Sequence, residues 1–120
     1  MSWHFNSEQP LYMQISNIIM TRIFSGEYPV GSRIPSIRDL AVEAGVNPNT
    51  MQKAFAELEE KQIVLTNRTA GRVVTSDAQT IDKLRLEMAS YLISDCKTKL
   101  ENYGITMQQI RTILDNIIET

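Results

Sequence analysis

Between residues 47 and 53 the chain sets five side chains able to hydrogen-bond to flat polar edges: Asn47, Asn49, Thr50, Gln52 and Lys53. Amides offer paired donors and acceptors, and a lysine adds a mobile positive charge. Together they suit base-pair edges and the phosphates of a duplex. Upstream, Ser36 and Arg38 add a hydroxyl and a guanidinium, and downstream Arg68, Thr69, Gly71 and Arg72 form a second polar cluster. Other chemistries lack material. A single histidine, His4, and a single cysteine, Cys96, leave no metal-ligand set, disulfide framework or Cys/His nucleophile within one chain. Paired carboxylates and a phosphate-cradling glycine loop are also missing, so neither an enzyme nor a cofactor is expected.

The elements that must position these groups follow from local signals. Trp3 and Phe5 alternate with polar neighbours and suit a short strand or an ordered arm. Pro10 fits the first turn of a helix carrying Leu11, Ile15, Ile18, Ile19 and Ile23, with Gly26 as its stop. Pro29, Gly31 and Pro35 mark residues 27–35 as a loop with at most a short extended piece. Ser36 with Asp39 forms a capping box for a short second helix ended by Gly45. Asn47-Pro48 opens a third helix, whose apolar stripe is Met51, Ala54, Phe55 and Leu58. The β-branched runs Ile63–Thr66 and Arg72–Thr75 enclose Asn67-Arg68-Thr69-Ala70-Gly71 and predict a hairpin. Ser76 with Gln79 caps a long helix that Gly104 closes, and Thr106 with Gln109 caps a last one.

A short helix, a turn at Ala44-Gly45-Val46 and a helix opened by small polar residues are the parts of a helix-turn-helix. Ala41 is small where the helices cross, and Val46 and Met51 fill the angle between them. The third helix then offers Asn49, Thr50, Gln52 and Lys53 to a major groove, and the hairpin serves as a wing. The predicted fold is mostly α with a small β-hairpin. A winged helix-turn-helix domain would occupy residues 1–75, and a two-helix dimerisation module residues 76–120.

The phrases Ser25-Gly26-Glu27-Tyr28, Gly31-Ser32-Arg33-Ile34-Pro35-Ser36-Ile37-Arg38-Asp39-Leu40-Ala41 and Gly45-Val46-Asn47-Pro48-Asn49-Thr50 are similar to the characteristic motifs of GntR-type bacterial regulators. The short two-helix tail resembles the YtrA-type subfamily. That resemblance implies a homodimer on a pseudo-palindromic operator, usually as a repressor, and often control of neighbouring ABC-transporter genes. By position, Arg38 matches the family's DNA-contacting arginine and Ser36 a backbone-contacting site. Asn47, Asn49, Thr50, Gln52 and Lys53 match the opening of the recognition helix, and Gly71 matches the wing glycine. Two departures stand out. The wing is poorer in glycine and basic residues than is usual, and Glu60-Lys61-Gln62-Ile63 replaces the usual glycine after the recognition helix.

Several residues keep a second reading. Asn47 reads as a helix cap or a base reader, and Arg68 and Arg72 as DNA contacts or as solubilising charges on a hairpin. In the tail, Leu84, Met88, Leu92, Cys96, Leu100, Ile110, Ile113, Leu114 and Ile117 recur at helical spacing. Helices of this size must cover such faces, and a second subunit is the expected cover. Cys96 in this stripe reads as a buried thiol. Tyr91, Cys96 and Tyr103 are read as core, with an effector pocket at the subunit interface as the alternative; no effector is named by the residues. A winged protein-interaction module without DNA binding is the rival from another class, supported by the charge balance. Residues 1–75 carry seven basic and seven acidic side chains, while residues 76–120 carry five and seven. No apolar run exceeds three residues, against the roughly 20 a membrane helix needs, so no membrane partner and a cytoplasmic location are expected.

Overall fold

A computed structural model describes residues 3–119. The order is α1 (Leu11–Phe24), α2 (Ile37–Ala44), α3 (Pro48–Glu60), β1 (Val64–Asn67), β2 (Gly71–Val74), α4 (Ala78–Asn102) and α5 (Met107–Ile118). Five helices and one hairpin are the expected mostly-α class. The chain divides between Lys83 and Leu84 into two compact units.

In the first unit, the periodic stripes meet in one core. Ile15 and Ile19 of α1, Leu40 of α2, and Met51, Ala54, Phe55 and Leu58 of α3 are all fully enclosed. Ile63, Val64 and Val74 continue that core under the hairpin. Burial of side chains this size stabilises by about 1.5–3 kcal/mol each, which makes the three-helix angle a stiff platform. Ala41 is buried where the sequence requires a small residue, and the Val46 N–H donates to its carbonyl at 3.0 Å. That bond needs Gly45 at φ +71, a left-handed conformation that costs glycine little.

The helix after this turn ends the same way without a glycine. Gln62 holds φ +63, the Gln62 N–H donates to the Glu59 carbonyl, and the Ile63 N–H donates to that of Leu58. These two bonds form a Schellman motif, with buried Leu58 and Ile63 as its apolar contact. The exit that the sequence left without its usual glycine is therefore a regular stop, held by tertiary packing against local strain.

The hairpin pairs Val64 with Val74 through Asn67 with Gly71, one residue later than expected in β1 and one earlier in β2. The reason is Asn67. Its Oδ1 accepts from the Thr69 N–H, the Thr69 hydroxyl and the Ala70 N–H, which tightens the loop and draws Asn67 and Gly71 into the ladder. The extended piece foreseen in residues 27–35 is a bridge from Arg33 to Val73, so a strap of backbone runs beside β2.

Other expectations shift at their edges. Trp3 and Phe5 belong to an ordered arm with ring centroids 6.2 Å apart, and no strand forms there. Pro10 is the N-cap of α1 rather than its first helical residue. The cap of α4 is Asp77 in place of Ser76: its carboxylate accepts from the Gln79 N–H and the Thr80 hydroxyl. A carboxylate complements the positive helix end better than a hydroxyl does.

In the second unit, the Thr106–Gln109 capping box is complete. Cys96 corrects the sequence reading, because it is exposed in the single chain. The cause is geometric: α5 buries no residue and half-buries only Ile110 of its stripe, so the single chain leaves most of that face exposed. Tyr91 and Tyr103 are likewise exposed rather than core. No helix among the described residues is long and apolar enough to cross a membrane.

Candidate nucleic-acid interface

Phe55, Met51, Ala54 and Leu58 face the core, so the opposite face of α3 belongs to solvent. Asn49, Gln52 and Lys53 stand exposed on it, with Thr50 half-buried at its side. Asn47 acts as the cap of the helix, its Oδ1 accepting from the Asn49 N–H at 2.7 Å. That bond fixes the Asn49 main chain at the first turn and leaves its side chain exposed. The Lys53 ammonium rests 4.1 Å from the centroid of the Tyr12 ring on α1, a cation–π contact that aligns the lysine without consuming its charge.

Two flanks complete the surface. At the start of α2, Ser36 Oγ accepts from the Asp39 N–H at 3.1 Å, and Arg38 projects from the exposed first turn. On the wing, Arg68 is exposed at the loop, Thr69 is turned inward to Asn67, and Gly71 closes the loop at φ +76. Arg72 is placed differently. Its Nε donates to Glu59 Oε1 at 3.0 Å and its guanidinium lies over Phe55, so it ties β2 to α3. A cleft of about 410 Å³ separates the α2 start from the wing, lined in part by Arg33, Ser36, Asp39 and Arg72.

The neutral total of residues 1–75 conceals an ordered partition. Arg22 pairs with Glu27 and Glu43, Lys61 with Glu57, and Arg72 with Glu59. Among the described residues no carboxylate pairs with Arg38, Lys53 or Arg68, which lie on α2, α3 and the wing. Two of the three carboxylates at the end of α3 are neutralised by the same pairing. Lys53 on that helix, Arg38 on α2 and Arg68 on the wing thus keep charges that a net total of −2 does not announce.

Arg22 was invisible as a special residue in the sequence, though it sits in the apolar stripe of α1 next to Ile23. It is 3% exposed. Its Nη1 donates to the Tyr28 hydroxyl at 2.7 Å, and its guanidinium lies 4.5 Å from the Trp3 ring centroid. Burial pulls its pKa down, but the Tyr28 hydroxyl and the Glu43 and Glu27 carboxylates outweigh that and leave it raised. This hub joins the arm, α1 and α2. A charged residue inside an apolar stripe was the one available signal for it.

Residues 11–74 match the family model described as bacterial regulatory proteins, gntR family. The chain belongs to the GntR family. The HTH-type transcriptional regulator YhcF of Bacillus subtilis is 30% identical over 106 residues, covering 88% of each chain. The HTH-type transcriptional repressor YtrA of the same organism is 36% identical over 74 residues, or 62% of this chain and 57% of YtrA. A GntR family transcriptional regulator from Listeria monocytogenes has a solved structure with TM-score 0.87 at 35% identity, covering 93% of this chain and 98% of that one. The chain is thus a YtrA-like, DNA-binding transcriptional regulator of the GntR family. Its relatives are regulators rather than enzymes.

In the second unit of this GntR-family regulator, Leu84, Met88, Leu100 and Ile110 are half-buried. Leu92, Cys96, Ile113, Leu114 and Ile117 are exposed. Leu86 and Ile93, which the expected stripe left out, are exposed too, at 68% and 69%, and so is Ile118.

Proposed function

We propose that this GntR-family regulator is a homodimeric repressor of a pseudo-palindromic operator. The observation that carries this reading is the charge partition: carboxylates take up Arg22, Lys61 and Arg72 and leave Arg38, Lys53 and Arg68 around the exposed face of α3. The first half of α3 enters the major groove. Asn49 and Gln52 read base edges, while Lys53 and the Thr50 hydroxyl meet phosphates or bases beside them. Ser36 and Arg38 hold the backbone at one flank and Arg68 at the other, while Thr69 gives both its donors to Asn67 and shapes the loop. Asn47 and Gly71 shape these surfaces rather than touch bases, and Arg72 acts as the tie to α3.

A second copy of the chain covers the apolar faces of α4 and α5. Exposed Leu92, Ile113, Leu114 and Ile117 otherwise leave in water a surface larger than isolated apolar residues account for. Two-fold symmetry then repeats α3 at half-sites about one helical turn apart. The name of the YtrA relative supports repression, and the subfamily resemblance supports an ABC-transporter operon as the target. Fluorescence anisotropy with the regulator's own upstream region against a scrambled duplex, at two salt concentrations, tests the reading. Preference of about a thousandfold, with affinity falling steeply as salt rises, is expected. Equal and feeble binding to both duplexes, with nothing recovered by genome-wide fragment selection, would overturn it.

A further inference from the structure

We infer that Arg33 is a positioning residue for the wing, one that aims Arg68 at the DNA backbone; the inference rests on the proposed operator reading. Arg33 lies in the strap just before α2, in a motif to which the sequence assigns this residue no role. The strap is stitched to β2 by main-chain bonds: the Ile34 N–H donates to the Arg72 carbonyl at 2.9 Å, and the Val74 N–H to that of Ser32 at 2.8 Å. From there the Arg33 Nε donates to the Ala70 carbonyl at 2.7 Å. It is a short, charge-assisted bond to the wing loop itself.

That loop has few other restraints. Asn67 Oδ1 gathers the Thr69 and Ala70 N–H groups from inside, so the loop donors are turned inward. The Arg33 bond holds the Ala70 carbonyl, whose own N–H is held by Asn67. Arg68, between the two anchors, is left exposed with no carboxylate partner among the described residues. Because the strap leads directly into Ser36, one guanidinium links the start of α2 to the wing across their shared cleft. The two flanks of the interface are therefore set at a fixed separation.

Side-chain geometry supplies the test. Glutamine carries its amide nitrogen where arginine carries Nε, so Arg33→Gln keeps a donor for the Ala70 carbonyl and removes the charge. The intact chain and its Arg33→Ala, Arg33→Gln, Arg68→Ala and Arg33→Ala/Arg68→Ala variants are titrated against a duplex that the intact chain enriches from random sequence. Arg33→Ala is expected to bind about fivefold more weakly. Arg33→Gln stays near wild type, and the double variant is no weaker than Arg68→Ala alone. The salt slope falls by about one in Arg68→Ala and by no more in the double variant. Thermal midpoints of the four variants separate these effects from unfolding.

Equal losses for Gln and Ala, or additive losses in the double variant, would show a direct phosphate contact and overturn the positioning role. An Arg68→Ala variant that binds like wild type overturns it as well, since there is then no wing contact to aim. Failure of the intact chain to enrich any duplex defeats the operator reading itself and takes this inference with it. That result is distinct from the others, which all require a wild type that binds.

Discussion

Arg72 on the second wing strand donates its Nε to Glu59 Oε1 on the third helix at 3.0 Å, and the Thr66 hydroxyl donates to the same oxygen at 2.9 Å. One carboxylate thereby fastens both wing strands to the third helix. The arrangement separates two arginines that look equivalent in sequence. Arg68→Ala is expected to reduce the salt slope of DNA binding by about one. Arg72→Ala is expected to lower thermal stability instead, because it frees the wing and leaves Glu59 with a hydroxyl alone. Melting curves beside salt titrations of both variants check this, and an Arg72→Ala protein with wild-type stability would contradict it.

Lys53 rests on the Tyr12 ring, so its ammonium starts from a restricted set of positions. Lys53→Ala should weaken binding to every duplex to a similar degree and lower the salt slope by about one, as for a phosphate contact. Gln52→Ala should instead lose about 1–3 kcal/mol against the preferred sequence alone and relax discrimination at one position. Anisotropy on matched single-base variants distinguishes the two patterns.

Gln62 sits at φ +63, where a side chain crowds the backbone and glycine does not. Gln62→Gly should stabilise the domain by about 0.5–1 kcal/mol, the strain relieved less the added freedom of the unfolded chain. Urea unfolding reads the difference directly. A loss of stability would mean that the glutamine side chain makes a compensating contact.

Arg22 is enclosed while Glu27 and Glu43 remain partly in water, at 42% and 51% exposure. Removing the arginine empties a packed site under Trp3 and Tyr28, so Arg22→Ala should cost about 2–3 kcal/mol. Either carboxylate rehydrates readily, so Glu43→Gln should cost less than about 1 kcal/mol. Chemical denaturation of both variants tests this inequality.

Leu114 and Ile117 are exposed apolar residues of the last helix. Leu114→Asp should turn the proposed dimer into a monomer that keeps its helix-turn-helix, and binding to a two-half-site duplex should fall toward that of a single half-site. Sedimentation velocity with anisotropy on the same sample decides it. A Leu114→Asp protein that remains dimeric would move the interface off this helix.

Local chemistry is what the sequence by itself determined. Asn47-Pro48, Gly45 and Thr106 with Gln109 are signals whose partners lie within a few residues, and each produced the expected helix end. The helix-turn-helix and its polar face were legible for the same reason, since 3.6-residue periodicity places Met51, Phe55 and Leu58 opposite Asn49 and Gln52. Tertiary structure alone decided which charges stay available. Arg33, Arg68 and Arg72 are alike as residue types, yet one bonds a carbonyl 37 residues away, one is exposed and one is paired with Glu59. It also decided that Gln62 adopts a conformation it disfavours locally, and that Arg22 is buried. Each outcome depends on partners distant in the chain, and electrostatic pairing and packing act through space, where sequence spacing carries no record of them.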